Sequence, residues 1–155
     1  MSTEATLTLA KDLLSWVGKV ELSQPEPDRL DATLASSDDL VSMVTALRVK
    51  RLGYLAAITG LDLGPEAGEM EVLYHFCPGA ATITLRVRVP REGATVPTLS
   101  IIIPVAESFE RELSEMFGIT VTGLRNPERL YLADDWPAGL YPMRKDFVPP
   151  TPEQA

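Results

Sequence analysis

His75 and Cys77 are the only histidine and the only cysteine of the chain, and two residues apart on an extended backbone they share one face. Metal binding or nucleophilic catalysis would have to begin from them. A structural zinc takes four protein ligands and a catalytic zinc commonly three, and no further ligands cluster nearby, so Cys77 reads better as a core thiol. A Ser or Cys nucleophile needs a positioned base, and His75 is the single imidazole available. Asp134-Asp135 have the makings of an acid and base pair, but adjacent carboxylates in a polar turn are far more often solvated. One thiol excludes an internal disulfide, and an iron–sulfur cluster, which usually takes four thiolates, cannot be held by this chain alone. A Gly-rich dinucleotide turn of the G-x-G-x-x-G kind is also missing. The expectation is a chain without flavin, iron–sulfur cluster or zinc of its own.

Ion pairing is the other chemistry that the residues could do. Glu110, Arg111 and Glu112 open a helical run, and Arg129, Arg144, Lys145 and Asp146 follow in the last third of the chain. On a helical wheel Arg111 lies within reach of Glu107 and Glu115, which predicts a solvated ion-pair face worth ~0.2 to 0.5 kcal/mol per pair. Glu112 flanks the apolar stripe beside Met116, where a partly desolvated carboxylate calls for a cation. Arg144 could hold it bidentately and so clamp the tail to the helix. Alternatively, Arg144 and Lys145 reach a neighbouring subunit; the spacing is compatible with both. Tyr131, Trp136, Tyr141 and Phe147 crowd the same tail, either as a docking surface or folded back on the domain.

The elements that must position these residues are legible from periodicity. Leu7, Ala10, Leu14 and Val17 before Gly18 predict an opening helix, and Ser23-Gln24-Pro25-Glu26-Pro27 reads as a break after it. Leu30, Ala32 and Leu34 alternate as a short strand. Ser36 or Ser37 caps a second helix with Leu40, Val41, Val44 and Leu47 on one face, Asp38 and Asp39 at its start and Arg48, Lys50 and Arg51 at its end. Strands follow at Tyr54 to Leu61, Met70 to Phe76, Ala81 to Val89 and Thr98 to Ile103, with Cys77-Pro78-Gly79-Ala80 as a hairpin turn. A third helix carries Phe109, Leu113, Met116 and Phe117 as an apolar stripe and stops at Gly118. The fold class is α+β: a mostly antiparallel sheet of about four to five strands, with about three helices packed on one face. Residues 1–122 form this unit, and 123–155 are an irregular C-terminal docking tail of the same domain.

Lys and Arg number 14 against 22 Asp and Glu, and the net charge of -8 disfavours nucleic acid, whose affinity is dominated by phosphate. No apolar run approaches the ~18 to 20 residues needed to span a bilayer, and the N-terminus lacks the basic and apolar regions of a secretory signal. A cytoplasmic protein that meets a membrane only through partners is the expectation.

Glu110-Arg111-Glu112-Leu113-Ser114-Glu115-Met116-Phe117-Gly118-Ile119, followed by Gly123, Arg129 and Pro142-Met143-Arg144-Lys145-Asp146-Phe147, resembles the signature of the 30 kDa (or C) subunit family of respiratory complex I, proton-pumping NADH:quinone oxidoreductase. The same subunit occurs in the related membrane-bound [NiFe] hydrogenases and formate hydrogenlyases. The likeness runs from about Arg29 to Phe147 and is specific from Ala106 onward. Where the family usually reads His-Pro-Asp-Leu-Arg-Arg, this chain has Leu124-Arg125-Asn126-Pro127-Glu128-Arg129, and its Asp134-Asp135-Trp136-Pro137 wording is closer to the hydrogenase branch. The resemblance implies a non-catalytic, peripheral-arm subunit on the cytoplasmic side of the complex. Its expected partners are the large quinone-site or NiFe-type subunit and an iron–sulfur subunit. Iron–sulfur clusters, flavin, quinone or the NiFe centre would lie in those partners. Glu110, Arg111, Glu112, Phe117, Gly118, Arg129, Trp136, Arg144, Lys145, Asp146 and Phe147 are then the signature and the expected subunit contacts. A free-standing hydrolase and a free-standing interaction module are the contrasting possibilities.

Overall fold

A computed structural model describes residues 2–150. Helix α1 spans Thr3–Val17 and is capped by the Ser2 hydroxyl, which accepts from the Ala5 N–H; Leu7, Ala10 and Leu14 are its buried stripe. Strands β1 (Val20–Glu26) and β2 (Arg29–Leu34) form an antiparallel pair, and a short 3-10 turn at Ser37–Asp39 leads into α2 (Leu40–Val49). Strands β3 (Tyr54–Asp62), β4 (Glu69–Cys77) and β5 (Thr82–Pro90) follow, then β6 (Thr95–Pro97), α3 (Ala106–Phe117) and β7 (Thr120–Thr122).

The main sheet runs β1-β2-β5-β4-β3, and β6 with β7 makes a two-stranded parallel ribbon. Pairings β1/β2, β5/β4 and β4/β3 are antiparallel and β2/β5 is parallel, so the sheet is mixed with an antiparallel majority, as expected. The predicted β4–β5 hairpin forms in the register Phe76↔Ile83 to Glu69↔Pro90.

One face of this sheet is apolar. Met70, Val72, Tyr74 and Phe76 of β4 and Ile83, Leu85, Val87 and Val89 of β5 meet Leu7 and Leu14 of α1 and Met43, Val44 and Leu47 of α2 in a single core. The other face carries crossed ion pairs: Arg86 donates to Asp31 at 2.9 Å and to Glu71 at 3.0 Å, and Arg88 to Glu71 at 3.1 Å. His75 sits on this polar face, with Nδ1 3.2 Å from the Thr84 hydroxyl, and half-burial lowers its pKa.

Three local expectations need correcting. The stretch expected to break the chain after α1 is strand β1, with Pro25 inside it; β1 is an edge strand, and its register shifts between Ser23 and Glu26, which is where a sheet tolerates a residue without an N–H. The strand expected at Thr98 to Ile103 lies earlier, at Thr95–Pro97. Residues 98–103 instead turn, with the Ile102 and Ile103 N–H groups both donating to the Leu99 carbonyl. Strand β7 lies where the periodicity marks no element; at three residues it has too little alternation to announce itself.

Candidate functional site

Helix α3 places the first signature motif. Its buried residues are Ala106, Glu110, Leu113 and Phe117, a stripe rotated one position from the one that Phe109 and Met116 suggest. Rotation in that sense buries Glu110, 1 % exposed, and turns Glu112, about 200° away on the helix, to solvent. Glu110 accepts from the Leu99 N–H at 2.5 Å and from the Thr98 hydroxyl at 2.6 Å, so it fixes the turn between β6 and α3. Burial raises its pKa against the pull of those two donors.

The Glu112–Arg144 clamp is not formed. Glu112 is exposed and makes no ion pair or hydrogen bond among the described residues, because the rotation of α3 carries it away from the tail's arginine. Arg144 caps the helix instead. Its Nε donates to the Phe117 carbonyl at 2.8 Å and Nη2 to the Arg91 carbonyl at 3.2 Å, while Nη1 pairs with Glu92 at 3.0 Å. The guanidinium also lies 4.6 Å from the centre of the Tyr141 ring. With the Met143 N–H donating to the Met116 carbonyl at 3.1 Å, the tail satisfies carbonyls that a helix C-terminus leaves open and sets a cation at its negative end.

Gly118 makes this approach possible. It adopts φ +73°, and any Cβ there would overlap the Tyr141 ring. Gly60 performs the same service on the sheet, since a Cβ would fall 2.6 Å from the Phe117 ring and hold α3 off β3.

Beside this cap lies a buried charge cluster that the signature only half reveals. Arg91 grips Asp62 bidentately at 3.0 and 3.1 Å and also bonds Asp146; both Arg91 and Asp62 are buried. Asp62 further accepts from the N–H groups of Lys145 at 2.8 Å and Gly64 at 3.0 Å. The Arg91 hydrogen bonds, helped by those two N–H donors, outweigh burial and hold the Asp62 carboxyl well below the usual range; Arg91 also lowers Asp146. Asp62 and Arg91, 29 residues apart in sequence, carry no signal in the sequence, where both places show only turns. A strand-ending Asp with a lone Arg across the next turn is too common a pattern to single out.

The rest of the tail is tied down piece by piece. Arg111 does not form the expected ion-pair face: Nε donates to the Glu128 carbonyl at 2.8 Å and Nη2 to that of Arg129 at 2.9 Å. Glu115 receives the Leu130 N–H at 2.5 Å and the Tyr131 N–H at 3.0 Å. Arg129 closes the next loop on the carbonyls of Ala133 (2.6 Å) and Trp136 (2.8 Å). Trp136 bonds the Leu140 carbonyl and stacks on Phe147 with ring centres 6.1 Å apart. Trp136, Tyr141 and Phe147 therefore fold back, while Tyr131 stays 64 % exposed.

Lys145's side chain, Glu112 and the 58 % exposed Met143 remain outward. Met143 and Glu112 rim a shallow groove of about 260 Å³ between α3 and β3, lined by Ile58, Gly60, Leu113 and Met116. Among the described residues no group of three His, Cys, Asp or Glu is placed to hold a metal. Every buried side-chain polar atom described has a partner, so the buried charge of the signature, Glu110, acts on the chain itself.

The profile of the family described as "Respiratory-chain NADH dehydrogenase, 30 Kd subunit" matches residues 33–153. The chain is 34 % identical over 119 residues to the C subunit of NADH-quinone oxidoreductase from Moorella thermoacetica, covering 75 % of this chain and 78 % of that one. It is 36 % identical over 112 residues to formate hydrogenlyase subunit 5 of Escherichia coli, covering 70 % of this chain but only 20 % of that protein. Among solved structures, a chain of the membrane-bound sulfane sulfur reductase, an archaeal respiratory membrane complex, superposes with a TM-score of 0.79 at 28 % identity, covering 94 % of this chain and 86 % of that one. The chain belongs to the family of the 30 kDa subunit of respiratory-chain NADH dehydrogenase.

Proposed function

We propose that this member of the 30 kDa subunit family is a non-catalytic, peripheral-arm component of a complex-I-like NADH:quinone oxidoreductase. In this reading it packs beside the large quinone-site subunit, next to an iron–sulfur subunit, and supports assembly and electron transfer without a cofactor of its own. The carrying observation is the use of the signature charges. Glu110, Arg111, Arg129, Arg144 and Asp146 are all engaged inside the chain, which leaves them for architecture, whereas Tyr131 and Lys145 are exposed and Met143 and Glu112 rim the α3–β3 groove. An exposed methionine and an unspent carboxylate on the rim of an apolar groove suit a protein partner.

The proposed seat is the cytoplasmic, peripheral side of the complex, with membrane contact through partners. No described helix is long and apolar enough to cross a membrane. A second reading, the equivalent subunit of a membrane-bound [NiFe] hydrogenase or formate hydrogenlyase, is favoured by the 36 % identity to formate hydrogenlyase subunit 5.

Co-expression of the tagged chain with the candidate large and iron–sulfur subunits tests the assignment. The expected result is a complex that retains both, while the chain purified alone is colourless and carries no stoichiometric metal. A chain that elutes alone in the presence of both subunits overturns it, and an NADH-binding subunit in the recovered complex separates the respiratory from the hydrogenase reading.

A further inference from the structure

The C-terminal end of α2 carries a run of charge opposite to that of the molecule. Arg48, Lys50 and Arg51 lie within four residues of a chain whose net charge is -8. Arg48 and Arg51 line an open cleft of about 680 Å³ together with Tyr54 and the Cys77–Gly79 turn, and no acidic residue lines it. Neither arginine makes an ion pair or a side-chain hydrogen bond among the described residues, in contrast to Arg86, Arg91, Arg111, Arg129 and Arg144. Tyr54 beside them is 64 % exposed.

The backbone adds an independent sign. The Leu52 N–H donates to the Leu47 carbonyl and the Arg51 N–H to that of Arg48, the six-residue closure that ends many helices. The residue at the left-handed position of that closure is usually glycine, and here it is Arg51, with φ 54°, the only non-glycine residue described with positive φ. Helix ends do favour cations, but that electrostatic benefit is available from the preceding turn and does not require an arginine at the one position where its Cβ is strained. A strained, unpaired arginine next to a second unpaired arginine and an exposed tyrosine is the composition of a binding hot spot.

We propose that this cleft docks an acidic segment of a partner subunit, whose carboxylates pair with Arg48 and Arg51 while its chain lies against Tyr54. The inference rests on reading the chain as a subunit of a larger complex. It adds a second contact surface at the opposite end of β3 from the tail: Tyr54 opens that strand and Asp62, which holds the tail, closes it, about 26 Å away at ~3.3 Å per residue.

Arg51→Gly separates a docking role from a structural one, because glycine relieves the left-handed strain while removing the guanidinium. The full-length variant is expected to melt at the same temperature as wild type or higher, and yet to leave the assembled complex at a distinctly lower salt concentration. Arg48→Glu/Arg51→Glu is expected to keep the fold and lower recovery of the complex at least tenfold at ~0.15 M salt, where charge pairing across an exposed surface is already partly screened. Equal salt resistance of wild type and Arg51→Gly, or normal assembly of the double reversal, overturns the proposal. Failure of the wild-type chain itself to assemble counts instead against its being a subunit.

Discussion

Two groups of arginines in this molecule behave in opposite ways. Arg91, Arg111, Arg129 and Arg144, around α3 and the tail, all grip a carboxylate or a backbone carbonyl of the same chain. Arg48 and Arg51, at the end of α2, grip nothing described, although they line a cleft. The recognisable motif is thus mostly framework, and the unremarkable basic run at a helix end holds a cluster of charge that no described side chain pairs. A strong sequence signature marks what the fold needs as readily as what a partner touches.

The contrast breaks most visibly at Arg91. Removing its side chain leaves Asp62 buried with a full charge and only backbone donors, and leaves Asp146 unpaired. Arg91→Ala is expected to lower the melting temperature on the order of 10 °C. Asp62's carboxyl is depressed in the folded state, so the stability it contributes is complete above about pH 4 and fades as the pH falls through the lowered value. The loss in the variant should therefore shrink as the pH falls, because protonation relieves the unpaired Asp62 while it weakens wild type, and melts followed by circular dichroism should converge toward acid.

Arg144→Ala comes next. It removes the donor to the Phe117 carbonyl, a bond to Arg91 and the Tyr141 contact, at a cost of roughly 2 kcal/mol, or about 5 °C. Arg144→Lys keeps the charge at the helix end but not the fork that reaches two carbonyls, and should recover less than half of the loss.

How much of this is readable in the sequence depends on range. The three helices are legible because stripes and stop signals are local: Leu7, Ala10 and Leu14 in α1 and Gly118 after α3 do their work within a turn or two. Strands with clean alternation are also legible, whereas β1 is hidden by Pro25 and by having only Val20 and Leu22 half-buried. Glu110 could have been found. It shares the i, i+3, i+7 face with Leu113 and Phe117 and has Ala106 one turn before it, and a carboxylate in such a stripe announces a buried anchor. The Asp62–Arg91–Asp146 cluster could not, because nothing local joins positions 62, 91 and 146; only the sheet and the return of the tail do.

Glu110 gives a prediction of opposite pH sign. Its folded pKa is raised by burial, so its contribution is fullest below the ordinary carboxylate value and declines as the pH rises through the raised one. Glu110→Gln should remove that decline, flattening stability from about pH 4 upward, at a cost of about 1 kcal/mol for the weaker acceptor to the Leu99 N–H. Thermal melts across pH measure both effects.

The smallest effect belongs to the unspent arginines. Arg48→Ala should move the melting temperature of the isolated chain by no more than about 2 °C, because no described contact is lost. A fall as large as that of Arg144→Ala would erase the distinction between framework and free charge.

Amide hydrogen exchange on the isolated full-length chain tests most directly whether the C-terminal signature is internal framework. The N–H groups of Met143 and Lys145 donate to the Met116 carbonyl and the Asp62 carboxylate, so both should exchange at least ~100-fold more slowly than in a free peptide, with no partner present. Peptide-like exchange of both amides in the isolated chain, with protection appearing only in the assembled complex, would contradict the account.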